Sequence, residues 1–360
     1  MPMSTQNDVQ RVPCVTQKAR ARNRWGIILS GGEGKRMHPL VSSWLGENRP
    51  KQYCTFVGSR SMFQHTVDRA GALVPEEHLV TIIGRGHRRF LSGAARASLP
   101  GLLIEQPRDV GTAPGVFLPA AYVLAHDPDA VVALFPSDHF VYPEDAFCRH
   151  VNRAFDLAES YADRVLLMGA VPSRPETDYG WIGSRRGPGV GRTRTQLRGP
   201  LEVTDFREKP DANEANLLLR QGCLWNTMVM VAKAQTLWSL GRQCLPEMMY
   251  GFDAFLLVLR AIRERQIGPE FETIALGRLY EELAPADFSR DILQQAPERS
   301  MVLPMDGVDW CDWGQPQRVS ETLERLDRRP LFPLEFVKSR FEPLRVKSDF
   351  PGPVACENNR

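Results

Sequence analysis

The chain has 360 residues, of which 42% are hydrophobic and 24% are charged, and its formal net charge is +2. This composition is typical of a globular protein, and the balanced charge argues against a nucleic-acid or membrane-surface partner. No run approaches about 18 uninterrupted apolar residues, so we expect no transmembrane helix.

Seven cysteines are scattered along the chain without a C-x-x-C pair. Their odd count and long spacings argue against a disulfide framework and against structural zinc. The N-terminus lacks an apolar secretory core. These features together favour the reducing cytoplasm.

Short apolar runs alternate with stretches of helical periodicity up to residue 170. The pattern predicts strands at 26–30, 78–84, 102–106, 130–136 and 164–170, and helices at 61–74, 87–97, 112–126 and 143–161. Such alternation is typical of βαβ units. It predicts an α/β fold with a Rossmann-like, mostly parallel sheet flanked by helices, and ligands of such sheets bind at the carboxyl ends of the strands.

The pattern changes after residue 170. Strands are predicted at 179–184, 201–206 and 224–231, a Gly/Arg-rich hairpin tip at 185–196 and a helical segment at 233–280. No hexapeptide repeat is present, so we expect no added β-helix domain. We predict a mobile polar and basic tail at 1–24, one domain at 25–328 whose halves meet near residue 170, and a Pro-rich extension at 329–360.

Residues 25–36, WGIILSGGEGKR, place three glycines within four residues, beside two cations. Such a loop typically binds an anion on its backbone N–H groups. It fails the P-loop pattern, because Leu29 stands where a Gly is needed and Arg36 where a Ser or Thr is needed. Met37 takes the place of the third glycine of the dinucleotide fingerprint. An ordinary strand-to-helix turn is the alternative.

Several separate motifs together resemble the sugar-phosphate nucleotidyltransferase family, in its mannose-1-phosphate guanylyltransferase branch. The resemblance spans about residues 25–325, and the combination is specific although each piece alone is weak. In the family's order, the motifs are GGEGKR (31–36), RPKQ (49–52), QPRDVGTAPG (106–115), FPSDH (135–139), TDYGWI (177–182), FREKP (206–210), LWNT (224–227) and WCDWG (310–314).

The chain departs from the family pattern at three places. Gly111 replaces an Asn, Thr227 and Met228 follow Asn226 in place of Ser-Gly, and Arg290-Asp291-Ile292 is not followed by a Glu within six residues. These departures bear on the identity of the sugar more than on the reaction.

The resemblance implies nucleotidyl transfer from a nucleoside triphosphate to a hexose-1-phosphate, with Mg²⁺ and with release of pyrophosphate. GTP and mannose-1-phosphate are the preferred pair. The alternatives are another NDP-sugar pyrophosphorylase and a non-catalytic nucleotide-sugar-binding regulatory homologue. A nucleic-acid binder that uses the basic residues 18–24 is disfavoured, because the run is short and lacks aromatic residues. A homodimer is left open. The half at 25–170 would bind the nucleotide, and the half at 171–328 the sugar.

The resemblance assigns catalytic roles to Arg36, Lys51 and Lys209. Arg36 can grip phosphate oxygens bidentately, and Lys51 adds a point charge near the leaving pyrophosphate. Lys209 would hold the sugar-1-phosphate. The alternative for each is a solvated surface cation.

The remaining binding residues belong to the glycine loop, the segment that would border the base, and the sugar pocket. Nucleotide binding is assigned to Gly31, Gly32, Glu33, Gly34, Lys35, Gly111, Thr112, Ala113 and Pro114, and sugar binding to Gly180, Glu208 and Asn226. A turn glycine and a strand-end cap are the alternatives for Gly180 and Asn226.

Two carboxylates are expected to bind magnesium. Asp138 follows the buried run AVVALFP, at the carboxyl end of a central strand, and Mg²⁺ prefers a few carboxylates plus phosphate oxygens. The alternative is an N-cap or loop aspartate. DWCDWG offers both Asp309 and Asp312, and the family pattern favours Asp312. His139 is expected to pack or to support the site, because Mg²⁺ seeks oxygen ligands.

Overall fold

The computed structural model describes residues 23–91, 99–185 and 199–334. Most of the predicted tail, of the hairpin tip and of the C-terminal extension lies outside the described residues. The strands are β1 (Arg24–Ser30), β2 (Leu79–Ile83), β3 (Leu102–Glu105), β4 (Val131–Pro136), β5 (Phe140–Tyr142), β6 (Val165–Ala170), β7 (Gly180–Ser184), β8 (Leu201–Glu208), β9 (Leu224–Lys233), β10 (Ser300–Pro304) and β11 (Asp309–Cys311). The α-helices are α1 (His38–Leu45), α2 (Met62–Gly71), α3 (Thr112–His126), α4 (Glu144–Leu157), α5 (Ala212–Arg220), α6 (Ala234–Cys244), α7 (Pro246–Arg263), α8 (Glu270–Glu282) and α9 (Pro316–Arg325).

Nine of these strands form one sheet, in the order β3–β2–β1–β4–β9–β6–β10–β8–β7. The pairs are parallel from β3 to β4 and between β6 and β10. They are antiparallel elsewhere, because β9 runs against β4 and β6, and β8 runs against β10 and β7. The first four strands therefore form the predicted parallel sheet, whereas the second half is mixed, because β8 and β9 run against the other seven strands. β7 also pairs with β9, which closes the second half into a five-stranded ring.

The central strands are buried on both faces, as near-continuous apolar sequences require. Ile27 faces one hydrophobic layer, together with Phe117 of α3 and Trp238 of α6. Its neighbour Ile28 faces the other layer, with Phe63 of α2. The alternation follows from the two-residue period of a strand. It leaves the strand ends as the places where polar side chains gather.

The structure confirms most of the predicted elements of the first half and adds others. α3 has the predicted bounds. Within the predicted helix at 87–97, His87–Phe90 form a short 3-10 turn, and residues 92–97 lie outside the described residues. The predicted helical segment at 233–280 is divided into α6, α7 and α8. Sequence reasoning missed α1, α5, β5, β10, β11 and α9. Within the described ranges, no helix is long and apolar enough to cross a membrane.

Two strand pairings determine where the site lies. β1 and β4 are parallel neighbours, with Leu29 opposite Pro136, so the glycine loop and Asp138 leave the sheet at the same edge. β11 pairs with β5, with Cys311 opposite Phe140. This small second sheet brings the late segment that contains Asp312 beside the loop that contains Asp138.

Candidate active site

The glycine loop curves around the segment that carries Lys51. Gly34 has a φ of 62°, a left-handed conformation that glycine adopts without strain. A Cβ at this position would lie 3.3 Å from the backbone nitrogen of Lys51. Gln52 donates a hydrogen bond of 2.6 Å from Nε2 to the carbonyl oxygen of Gly32. The two motifs, 20 residues apart, therefore form one packed unit.

A cavity of about 340 Å³ lies beside this unit. Its volume is in the range of small-molecule sites. It brings together six of the predicted site residues with three others, and its lining is Glu33, Gly34, Lys35, Arg36, Met37, Lys51, Asp109, Asp138 and Gly314.

Lys51 is the buried cation of this cavity. Its ammonium nitrogen lies 3.1 Å from Asp138 Oδ2, and it also donates a hydrogen bond to the backbone carbonyl of Asp312. Burial opposes ionisation of Asp138, but Lys51 and His139 outweigh it and hold the pKa of this carboxyl below its ordinary value. His139 Nε2 lies 3.5 Å from Asp138 Oδ1, and burial lowers the pKa of this histidine. The arrangement keeps a negative carboxylate and a positive ammonium at one end of the cavity.

Asp312 is buried among donors. Its Oδ1 accepts hydrogen bonds from Tyr179 Oη at 2.8 Å, the Gly314 nitrogen at 2.9 Å and Arg318 Nη1 at 3.0 Å. Burial raises the pKa of Asp312, but Lys51 and Arg318 outweigh this effect and lower the pKa to about 2. The Asp309 side chain is 40% exposed and pairs with Arg325. Of the two candidate aspartates, Asp312 is therefore the buried one, and its charge interacts with that of Lys51.

The oxygen donors at this place fit a hard cation. Among the described residues, no group of three or more His, Cys, Asp or Glu side chains is arranged to hold a metal. A magnesium ion needs only one or two protein carboxylates when it also binds phosphates. The other oxygen of the Asp312 carboxylate, Oδ2, has a longer contact, of 3.3 Å, to Arg36. This oxygen and the Asp138 carboxylate are the groups that would hold such an ion.

The three residues predicted for the sugar pocket meet one another. A Cβ at Gly180 would lie 2.6 Å from Glu208 Oε2 and 3.2 Å from Asn226 Cβ. Glu208 forms an ion pair with Lys209, and burial raises the pKa of Glu208. Asn226 donates a hydrogen bond of 3.2 Å from Nδ2 to Ser289 Oγ.

The segment predicted to border the base begins α3 as expected. Gly111 has a φ of 95°, and the Ala113 nitrogen donates a hydrogen bond of 3.1 Å to the carbonyl of Ala286. Thr112 Oγ1 accepts one of 2.8 Å from the Phe288 nitrogen. The start of α3 is thus held against the segment that leads to Ser289.

Sequence reasoning missed the residues that join the surroundings of the cavity to the predicted sugar pocket. Tyr179 donates its hydroxyl to Asp312, and its carbonyl accepts a hydrogen bond of 3.2 Å from the Lys209 nitrogen. Asp178 Oδ2 lies 3.0 Å from Arg36 Nη1. Both were in the motif TDYGWI, but no role was assigned to either. Arg318 and Ser289 carried no signal in the sequence.

A glycine loop, a buried lysine and a carboxylate at the carboxyl edge of a parallel half-sheet are typical of α/β proteins that bind phosphates. Residues 25–248 match the family model of nucleotidyl transferases, and the chain belongs to that family.

Relatives in this family carry the name mannose-1-phosphate guanylyltransferase. The Escherichia coli protein of that name is 28% identical over 293 residues, which are 80% of this chain and 57% of the relative. A putative one from Vibrio cholerae is 32% identical over 225 residues, 61% of this chain and 45% of the relative. The chain thus spans about half the length of these curated relatives.

Solved structures share the fold. The crystal structure of mannose-1-phosphate geranyltransferase from Thermus thermophilus matches with a TM-score of 0.67 at 25% identity. The match covers 85% of this chain and 80% of the chain in that structure. That of mannose-6-phosphate isomerase from Helicobacter pylori has a TM-score of 0.60 at 17% identity, with coverage of 80% and 99%. At that identity the second likeness concerns the fold alone.

Proposed function

We propose that this chain transfers a nucleotidyl group from a nucleoside triphosphate to a hexose-1-phosphate, giving an NDP-sugar and pyrophosphate. GTP and mannose-1-phosphate are the proposed pair, in keeping with the names of the relatives. The observation that carries the proposal is that the glycine loop, Arg36, Lys51 and Asp138 line one cavity. Tyr179 contacts Asp312, whose backbone carbonyl accepts a hydrogen bond from the cavity residue Lys51. It also contacts Lys209, which pairs with Glu208.

The reaction joins two polyanions, so the protein must position them and neutralise their charge. An oxygen of the sugar-1-phosphate attacks the α-phosphorus, and pyrophosphate leaves on the opposite side. In this proposal the loop N–H groups and Arg36 bind the triphosphate, and Lys51 stabilises the charge that develops on the leaving group. A magnesium ion held by Asp138 and Asp312 would supply further neutralisation of the phosphates.

On the sugar side, Lys209 would hold the attacking phosphate, and Glu208 would accept hydrogen bonds from sugar hydroxyls. The Lys209 side chain is 60% exposed, whereas that of Glu208 is 12% exposed. This contrast suits a cation that reaches an incoming ligand and a carboxylate that lies on the floor of its pocket. The cytoplasmic location and the homodimer stay predictions.

The test is to incubate purified protein with Mg²⁺ and each combination of nucleoside triphosphate and hexose-1-phosphate, and to measure pyrophosphate and NDP-sugar. We expect the highest kcat/KM with GTP and mannose-1-phosphate, because a site that hydrogen-bonds one base leaves buried polar groups unpaired with another. Preference for UTP or dTTP would reject the guanine assignment and keep the reaction. No product from any pair would favour the non-catalytic homologue.

A matched pair of variants connects the activity to the cavity. Arg36→Ala removes a cation that lines it, whereas Arg149→Ala removes an exposed cation that pairs with Asp145 on α4. We expect the first variant to lose activity and the second to retain it. Equal activity of both would contradict the assignment of the cavity.

A further inference from the structure

A carboxylate outside the predicted site holds Arg36. Asp178 Oδ2 accepts hydrogen bonds from Arg36 Nη1 at 3.0 Å, Arg318 Nη2 at 2.9 Å and Gln315 Nε2 at 2.9 Å. Asp312 accepts hydrogen bonds from the same two guanidinium groups, at 3.3 Å from Arg36 and 3.0 Å from Arg318. Two arginines and two aspartates thus form one network at the cavity that Arg36 lines.

Arg318 anchors this network. Its side chain is 6% exposed, and it also lies 2.5 Å from Glu176 Oε2. Its guanidinium carbon lies 4.7 Å from the centre of the Tyr179 ring, as in a cation–π contact. A buried arginine with this many partners has little freedom to move. The position of Asp178 is therefore set from α9, and not by the half-exposed Arg36.

Gly314 leaves the space that Arg36 occupies. A Cβ at Gly314 would lie 2.6 Å from Arg36 Nη2. The Arg36 side chain is 54% exposed, so without Asp178 and Asp312 it would sample many rotamers. The packing on one side and the carboxylates on the other restrict its guanidinium to the wall of the cavity.

We infer that Asp178 is a positioning residue for Arg36, an inference that rests on the proposed function. A guanidinium has five N–H donors, so the two carboxylates leave donors for a phosphate. An arginine that is already ordered loses less rotamer freedom when the phosphate arrives. The negative charge of Asp178 opposes triphosphate binding, but its Oδ2 also faces Arg318, which offsets this charge. We therefore expect the ordering of Arg36 to outweigh the repulsion.

A double-mutant cycle of Asp178→Ala and Arg36→Ala tests this inference. The Kd for GTP is measured calorimetrically, and kcat/KM by pyrophosphate release. With Arg36 present, Asp178→Ala should weaken GTP binding roughly five- to tenfold, because residues that act through one another couple. In the Arg36→Ala background, it should cause no further loss. Asp178→Asn, which keeps an acceptor without the charge, should lie between wild type and Asp178→Ala.

Three outcomes would overturn the inference. Tighter binding by Asp178→Ala would make Asp178 a competitor of the phosphate. An equal loss in both backgrounds would show that Asp178 acts independently of Arg36. The absence of GTP binding by the wild type would show that GTP is not the ligand for which Arg36 is positioned. A wild type that binds GTP and forms no NDP-sugar would contradict the proposed function alone, since the binding cycle still decides the inference.

The controls separate positioning from folding. Asp145→Ala removes an exposed carboxylate that pairs with Arg149, and it should leave the Kd unchanged. Near-ultraviolet circular dichroism of each variant reports its packing. Should Asp178→Ala fail to fold, Asp178→Asn takes its place in the cycle, with the same pattern expected.

Discussion

Lys51 and Asp138 form an ion pair of 3.1 Å, in which the lysine side chain is 5% exposed and the aspartate side chain 36%. Lys51→Met keeps the apolar stem and removes the charge, so Asp138 loses its ion-pair partner and, among the described residues, keeps only the contact with His139. We expect the free energy of unfolding to fall by roughly 1–3 kcal/mol. We expect kcat to fall about 100-fold or more, because the proposed role of Lys51 is to contact a phosphate in the transition state. Urea unfolding and pyrophosphate release measure the two effects.

The double variant Lys51→Met, Asp138→Asn separates these effects. Removing the second charge should restore part of the stability, because no carboxylate is then left without its cation. It should restore no activity. Recovery of turnover in the double variant would mean that the pair is structural and that neither residue is needed by the substrates.

Asp312→Asn should lower both stability and Mg²⁺-dependent activity. The Asp312 carboxylate accepts four hydrogen bonds, and an amide nitrogen in place of one oxygen would face donors such as Arg318. Asp309→Asn, which loses an exposed ion pair with Arg325, should retain most activity, since such pairs contribute about 0–1 kcal/mol. Thermal unfolding and magnesium titrations of turnover compare the two. A more damaging Asp309 variant would reverse the choice between them.

Interactions of the Glu144 carboxylate should stabilise the fold over a defined pH range. It accepts hydrogen bonds from His65 Nδ1 at 2.8 Å and Arg69 Nη1 at 3.0 Å. Burial raises the pKa of Glu144, but His65 and Arg69 outweigh it and lower the pKa from 4.5 to about 2. Because the pKa is lower in the folded state, this stabilisation is complete above about pH 4.5 and is lost as the pH falls toward 2.

Glu144→Gln should therefore lower the free energy of unfolding by roughly 1.5–3 kcal/mol at pH 7, the usual contribution of a charged hydrogen bond. The difference from the wild type should shrink toward zero as the pH approaches 2. Urea unfolding at a series of pH values measures it. Glu159→Gln removes an exposed carboxylate as the control at pH 7. A difference independent of pH would show that the Glu144 charge does not act through these partners.

Local patterns predicted the parts of the site that lie beside a strand end. Lys51 and Asp138 belong to short motifs, and the strands before the glycine loop and before Asp138 are strongly apolar. The direction of β9 was not predictable in this way, because it depends on pairing with β4 and β6 across the sheet. An antiparallel strand in the middle of βαβ units leaves no local signal of its direction.

The residues that hold Arg36 could not be predicted from the sequence for a related reason. Arg318 lies on the amphipathic helix α9, where an arginine is typical of a solvated face. Its partner Asp178 is 140 positions earlier in the chain. An ion-pair network of this kind is created by tertiary packing, so composition and periodicity do not contain it.

Gly111→Ala should damage both of the proposed substrate sites through one backbone segment. Gly111 combines a φ of 95° with a ψ of 178°, a region that is essentially restricted to glycine, and an added Cβ would collide with the carbonyl oxygen of Ala286. That carbonyl accepts a hydrogen bond from Ala113, and the chain continues from it to Ser289, which holds Asn226. We expect the free energy of unfolding to fall by about 1–3 kcal/mol, and KM to rise for the sugar phosphate as well as for the nucleotide.

Gly115→Ala, inside α3 with open space around its Cβ, should be neutral or stabilising by up to about 1 kcal/mol. Steady-state kinetics with each substrate varied in turn measures the coupling. A Gly111→Ala enzyme with a raised KM for the nucleotide alone would show that the segment at 286–289 does not connect the two sites.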